Sequence, residues 1–374
     1  MSAMEEARID RKAIARALKD YAASAAVRPV LIGFDGYVDK LVKPRICQEA
    51  DAYYTSVREF AMRLLDLGGT SSDIAVKPMF EKIGGNGPLL AEALAEKDAV
   101  CSCIGAMGIP ELSAPYRPLS NKVRLYSVAE CAGSYALEFP DGKIMLGDTE
   151  SFNSIDWQTL QSRIGQEKLL MLFQEAQLLC FANWSGLPKA TDLLQGILRD
   201  VCPALSCERT RSVLFDLADP TGKSDAQFVE LFAALEALAP FYERIVGLNP
   251  KECLQVYNHY THSEEREFSA EMLEELLQTF PADEIVIHDA GCAYVGRKGE
   301  PARKVTGRFL TNPRISVGAG DNFNSGYCLG KLCALPGEAC AALGNEAAVG
   351  FMERERPMTR MELLEAFEEQ ETIA

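Results

Sequence analysis

The chain has 374 residues, 48% hydrophobic and 25% charged, enough to close a large core in one big domain or in one domain plus a small appendage. Its formal net charge of -16 disfavours nucleic acid and anionic membranes as partners, while leaving room for one local phosphate site built from backbone amides. The acidic start Met1-Ser2-Ala3-Met4-Glu5-Glu6 does not read as a secretion signal, no apolar run is long enough to span a bilayer, and the 12 cysteines contain no CxxC pair. These features predict a cytoplasmic protein with reduced core cysteines and no zinc site.

In chain order, residues 10–26 predict an Ala-rich amphipathic helix, and the apolar run Val30-Leu31-Ile32 predicts a buried strand. That strand ends at Gly33-Phe34-Asp35-Gly36-Tyr37-Val38-Asp39. Polar groups at the end of a buried strand are where α/β folds bind ligands, so Asp35 or Asp39 is expected in a site, the alternative being turn chemistry. Residues 53–67 read as a helix. The turn Ile83-Gly84-Gly85-Asn86-Gly87-Pro88 precedes a helix over Leu89 to Lys97, a pattern that brings backbone close to a substrate. It is not a dinucleotide fingerprint, because Leu90 stands where a third glycine is needed.

Val100 to Ile104 reads as the next strand. Residues 121–147 then alternate apolar and polar, with Val123 and Leu125, then Tyr135, Leu137 and Phe139, and a turn at Pro140-Asp141-Gly142. This period-two pattern predicts an antiparallel hairpin in a small sheet over the main domain, serving as a lid, a dimer contact or an ordinary edge.

Four further strands are expected over 178–181, 212–215, 244–247 and 284–287, each running into a polar loop. Helices are expected over 190–201, 228–238 and 271–278. The repeated order of strand, polar loop and helix predicts an α/β fold: a central, mostly parallel sheet with helices on both faces and the polar residues gathered along one edge. Thr221-Gly222-Lys223-Ser224 looks like the end of a P-loop, but Leu217 stands where that motif needs glycine, so it reads as a loop.

The last informative stretch, Ile315-Ser316-Val317-Gly318-Ala319-Gly320-Asp321-Asn322-Phe323-Asn324-Ser325-Gly326, reads as a loop entering a helix. A glycine-rich helix start offers unpaired N–H groups and partial positive charge, which suits a phosphate. Asp321 would repel that phosphate unless it takes a proton from an incoming hydroxyl; the competing reading is a simple helix N-cap.

Three pieces, in this order, carry a resemblance: Gly84-Gly85-Asn86, Asn249-Pro250-Lys251-Glu252, and Ser316-Val317-Gly318-Ala319-Gly320-Asp321. Over roughly Val30 to Met352 the chain resembles the ribokinase-like, or PfkB, carbohydrate kinases. The resemblance implies a single ribokinase-like domain over 1–374 with a small β lid, comprising 121–147 and parts of 36–50 and 75–83. It implies transfer of the ATP γ-phosphoryl group to a hydroxyl of a sugar or related polyol, with Mg²⁺. Asp321 would be the general base, and the amides of Gly318, Ala319 and Gly320 the anion hole. Asn249 and Glu252 would hold Mg²⁺ through its waters. Asp39, Gly85 and Asn86, with Asp35 and Gly84, would meet the acceptor, and Asn183 and Asp216 would join them from strand ends. Asn249, His288, Gly291 and Asn345 would border the nucleotide. The lid would also allow a homodimer.

The sequence departs from the family pattern at Leu89, at Ile315-Ser316 and at His288-Asp289-Ala290-Gly291. Two alternatives therefore accompany the sugar kinase: a nucleoside or vitamin-precursor kinase of the same fold, and a non-catalytic sugar-sensing homologue.

Overall fold

The computed structural model describes residues 4–46, 51–69, 71–311 and 313–369. Residues 47–50 of the segment expected in the lid, and Asn312 before the glycine-rich loop, lie outside them. Among the described residues the strands are β1 (Val30–Gly33), β2 (Tyr37–Pro44), β3 (Val76–Gly84), β4 (Cys101–Ala106), β5 (Arg124–Ala129), β6 (Ala132–Phe139), β7 (Gly142–Asp148), β8 (Leu178–Phe181), β9 (Arg211–Asp216), β10 (Tyr242–Leu248), β11 (Glu284–Asp289), β12 (Cys292–Arg297) and β13 (Arg303–Thr306). The helices are α1 (Arg11–Ala23), α2 (Val57–Asp66), α3 (Asn86–Ala95), α4 (Trp157–Ile164), α5 (Gln166–Glu175), α6 (Ala190–Gly196), α7 (Asp225–Ala237), α8 (Pro250–Thr261), α9 (Glu271–Thr279), α10 (Ala319–Leu332), α11 (Gly337–Arg354) and α12 (Arg360–Glu369).

The strands form two sheets. The large one has nine strands in the order β13-β12-β11-β10-β9-β8-β1-β4-β5. From β11 to β5 every pairing is parallel, and β12 and β13 add an antiparallel edge. The chain leaves β1 toward β4 and β5 on one side and later returns to β8 on the other. That reversal is a topological switch point, where open α/β sheets bind ligands beyond the carboxyl ends of their strands.

Alternation within each strand builds a core on each face. Leu31, Phe181, Phe215, Val246 and Ile285 point to one face, packed with Leu160, Phe173, Leu193, Phe228, Val256 and Leu273 of α4 to α9. Ile32, Cys180, Leu214, Ile245 and Val286 point to the other, packed with Leu90 and Leu94 of α3 and with Phe323 and Tyr327 of α10. Burial on both faces explains why these strands read as unbroken apolar runs. A third cluster joins α1, α11 and α12 through Ile14, Leu18, Leu343, Leu363 and Phe367.

The small sheet has the order β3-β2-β6-β7. It includes the expected segments near 36–46 and 75–83, and β6 and β7 form the expected antiparallel hairpin. The first part of 121–147 is different. β5 is no part of the hairpin; it runs parallel to β4 at the edge of the large sheet. An edge strand covered on one side gives the same alternation as a hairpin strand, and here Val123, just before β5, is buried in the large core. Tyr135, Leu137 and Phe139 differ in exposure. Leu137 and Phe139 are buried with Tyr54 and Phe60, and the Phe60 and Phe139 rings lie 5.3 Å apart; Tyr135 alone stays half exposed.

Candidate active site

One cleft of about 520 Å³ lies between the carboxyl edge of the large sheet and the small sheet. Its wall collects Tyr37 and Asp39 from β2, Gly85 and Asn86 before α3, Ser134, Met145 and Gly147 from β6 and β7, Asn183 after β8, Asp216 ending β9, Asn249 and Glu252 at the start of α8, His288 on β11, and Gly318, Gly320 and Asp321 at the start of α10. Segments far apart in sequence meet there: Asn183, Asp216, Asn249 and His288 stand at the carboxyl ends of parallel strands, the small sheet faces them, and the starts of α3 and α10 enter after β3 and β13.

The start of α10 settles one of the open readings. Gly318, with φ 95°, is the N-cap, and Asp321 is the third residue of the helix, making no capping hydrogen bond. Asp321 is 7% exposed, and its Oδ1 has no hydrogen-bond partner among the described residues. Burial, reinforced by the charges of Asp216 and Asp35, pushes its pKa well above the ordinary carboxylate range. One turn on, Asn324 Nδ2 donates to Asp216 Oδ2 at 2.8 Å, tying α10 to the end of β9. Asp216 also accepts from the Ala218 N–H at 2.9 Å and from Asn86 Nδ2 at 3.5 Å.

Asp35 does not stand in the wall. It is fully buried beneath it, and its carboxylate accepts the N–H groups of Asn86 (2.9 Å) and Gly87 (2.8 Å) and Asn183 Nδ2 (2.9 Å). It therefore satisfies the open start of α3 and fixes Asn183, which explains why a charged residue follows an apolar strand. Burial still raises its pKa to about 6, because those three donors only partly offset lost solvation.

Asp39 does reach the cleft, and it accepts Ser134 Oγ at 2.6 Å. The glycine pair makes both placements fit. A Cβ on Gly84 would lie 2.6–2.7 Å from the Asp39 carboxylate, and one on Gly85, whose φ is 95°, would lie 2.9 Å from Asp35 Oδ2.

Asn249 and Glu252 form a reciprocal capping box. Asn249 Oδ1 accepts the Glu252 N–H, Glu252 Oε2 accepts the Asn249 N–H, both at 2.9 Å, and Asn249 Nδ2 donates to Glu252 Oε1 at 2.7 Å. Glu252 is buried rather than a solvated surface residue, and burial first, then Asp216, raises its pKa to about 8.

On the nucleotide side the expected residues divide. His288 lines the cleft, whereas Gly291 and Asn345 do not. Gly291 packs under Phe309, and Asn345 Nδ2 donates to the Val305 carbonyl at 3.0 Å, tying α11 to β13.

Sequence reasoning missed Ser134, Met145, Gly147 and Asn324. For Asn324 a signal existed: it lies at i+3 from Asp321, on the same helix face. For the others none did, since their role depends on which face of the small sheet turns inward.

The prokaryotic ketohexokinase family model matches residues 7–370. The chain belongs to the prokaryotic ketohexokinase family. It is 26% identical over 359 residues to a ketohexokinase of Haloferax volcanii, covering 89% of each chain. Among solved structures, the fold is similar to a ribokinase of Arabidopsis thaliana complexed with ribose and ATP (TM-score 0.64, 14% identity, 92% of this chain and 99% of that one). It is also similar to an adenosine kinase of Sinorhizobium meliloti (TM-score 0.63, 18% identity, 94% and 100%). This ketohexokinase-family chain is an ATP-dependent carbohydrate kinase of the ribokinase-like class.

Proposed function

We propose that the chain moves the γ-phosphoryl group of ATP to a hydroxyl of a free ketohexose, with Asp321 as the base that takes the hydroxyl proton. The observation that carries this reading is Asp321: a buried carboxylate with one oxygen unpartnered, in the first turn of α10, sharing a cleft with Asp39, Asn86 and Asn183. The acceptor binds on the Asp39, Asn86 and Asn183 side, with Asn183 and Asp216 held by hydrogen bonds already in place. The amides of Gly318, Ala319 and Gly320 stabilise the charge on the transferring group. The small sheet closes over the acceptor through Ser134, Met145 and Gly147 and excludes water.

Mg²⁺ suits the same cleft. The donor set of Glu252, Asp216 and Asp219 beside Asn249 is oxygen-rich. Among the described residues no three side chains group as a ready metal cage, so the ion would keep waters and nucleotide phosphates as most of its ligands. Bound there, it would neutralise phosphate charge. Pairing of two copies through half-exposed Tyr135 on the face of the small sheet is compatible with this reading.

The test is ADP release with ATP and Mg²⁺ across a panel of ketohexoses, aldoses and nucleosides. Turnover highest with a ketohexose is the expected result. Preferential turnover of a nucleoside, or none with any acceptor, overturns it.

A further inference from the structure

On the α10 side of the large sheet, Leu214 of β9 and Ile245 of β10 point into an apolar layer. Two residues on, in register with each other, stand Asp216 and Gly247. Helix α10 meets this layer with Phe323, Tyr327 and Cys328, and between them with Asn324, which is 1% exposed. Gly247 leaves the space that the Asn324 amide occupies. A Cβ there would lie 3.4 Å from Asn324 Oδ1 and 3.5 Å from Leu214 Cδ1, so a side chain larger than a methyl group would take the amide's place.

For stability alone, Asn324 is poorly placed. Its Nδ2 donates to Asp216 Oδ2 at 2.8 Å, but its Oδ1 is buried with no hydrogen-bond partner among the described residues. A buried acceptor left unpaired costs stability, and an alanine or leucine suits both the helix and the apolar layer better. Such a departure from good packing is expected where a residue serves a site.

The bond to Asp216 reaches Asp321 indirectly. Asp216 also accepts Asn86 Nδ2, at 3.5 Å, and the Asn86 side chain acts as a donor toward Asp321 as well. Asp321 stands one turn before Asn324 on α10. The four side chains therefore close a circuit, from α10 to the end of β9, to the start of α3 and back to α10. Within it, Asp321 Oδ1 is the carboxylate oxygen left without a partner.

We infer that Asn324 is a positioning residue for Asp321: it fixes Asp216, Asp216 orients the Asn86 amide, and that amide keeps the free Asp321 oxygen turned toward the acceptor hydroxyl. The inference rests on the kinase reading, with Asp321 as the base, and adds a residue role to it. Asn324 itself is not among the residues lining the cleft, so it acts only through its grip on Asp216.

The test uses the full chain with ATP, Mg²⁺ and a ketohexose. Asn324→Ala is expected to lower kcat about 10–100-fold, the scale of a misplaced catalytic group, with the KM for ATP within about twofold of its starting value. Its melting temperature is expected to stay level or rise, since the unpaired acceptor goes with the donor. Asn324→Leu keeps the layer filled; it is the second variant and is expected to behave alike. The double variant Asn86→Ala/Asn324→Ala separates positioning from a general structural effect. With the circuit already open at Asn86, loss of Asn324 is expected to cost less than about threefold more, whereas independent effects would multiply. A further readout needs no turnover: in ¹⁵N-asparagine-labelled protein, the Asn86 side-chain amide signal, assigned with Asn86→Ala, is expected to shift in Asn324→Ala. Wild-type kcat in both Asn324 variants, losses that multiply, or an Asn86 signal unmoved by Asn324→Ala overturns the inference and leaves the kinase reading standing. An unaltered protein that phosphorylates no acceptor sinks the kinase reading, and the inference with it.

Discussion

Asp321, the proposed general base, sits where two demands conflict. A general base must be ionised to work, yet burial and the nearby Asp216 and Asp35 favour its protonated form. The base form is therefore lost, as pH falls, at a value above the ordinary carboxylate range, and that sets the acid limb of the rate profile. Asp216→Asn removes one of the charges that raise this pKa. The acid limb of kcat is expected to move to lower pH in that variant, even where the maximal rate falls; an unmoved limb in a pH–rate profile contradicts the coupling. Asp321→Asn is expected to lower kcat by ~10²–10⁴-fold. Stability follows the opposite sign. A carboxyl group whose folded pKa is raised stabilises the fold below its unfolded pKa, and that contribution is lost as pH rises through the folded pKa. At pH 7 the Asn variant is thus expected to melt at the same temperature or higher, as differential scanning calorimetry can check.

At the level of elements, the β3–α3 corner ties two carboxylates to one turn. Gly84 leaves room for Asp39 on the paired strand β2, and Asp35 holds the first N–H groups of α3. Gly84→Ala would drive a methyl group into the Asp39 carboxylate and displace it. A shift on the order of 1 Å can cost up to ~10²-fold, so the acceptor KM is expected to rise tenfold or more while the KM for ATP stays near its starting value. A parallel rise in both would show that the corner carries stability rather than acceptor binding. This corner also marks what could be read beforehand. The runs at 30–32, 178–181, 212–215, 244–247 and 284–287 were legible as core strands because both faces of the sheet are covered. So were the loops after them, since polar residues directly after a buried strand have one place to go. The depth of each residue was not legible. Asp35 and Asp39 look alike in sequence, yet one braces a helix under the floor and the other stands in the wall. Nor could period-two alternation separate β5, an edge strand of the large sheet, from β6 in the small one. Capping by Asp35 and the inward face of β6 and β7 depend on contacts across 50 or more residues, which local pattern does not carry.

The molecule as a whole is negative, with a net charge of -16, and its cleft repeats that sign at close range. Both scales bear on which acceptors it takes. A free ketohexose, the proposed acceptor, is neutral and would offer hydroxyl groups to Asp39, Asn86 and Asn183. A ketohexose already bearing a phosphate would bring a further anion into a wall that holds carboxylates and, among the described residues, no lining lysine or arginine. Burying such a group unpaired is costly, so kcat/KM for the sugar phosphate is expected to fall about 100-fold or more below that of the parent sugar. Salt tells which scale is responsible. Long-range repulsion from the surface is screened within about 10 Å at 0.1 M salt, whereas repulsion inside a closed cleft is not. If the local carboxylates decide, the ratio between sugar and sugar phosphate holds between low salt and 0.3 M salt, and a cation placed in the small sheet by Ser134→Lys narrows it. Equal use of both acceptors at every salt concentration would mean that the phosphate finds a partner outside this wall, and the assignment of the acceptor to the Asp39 side would fail with it.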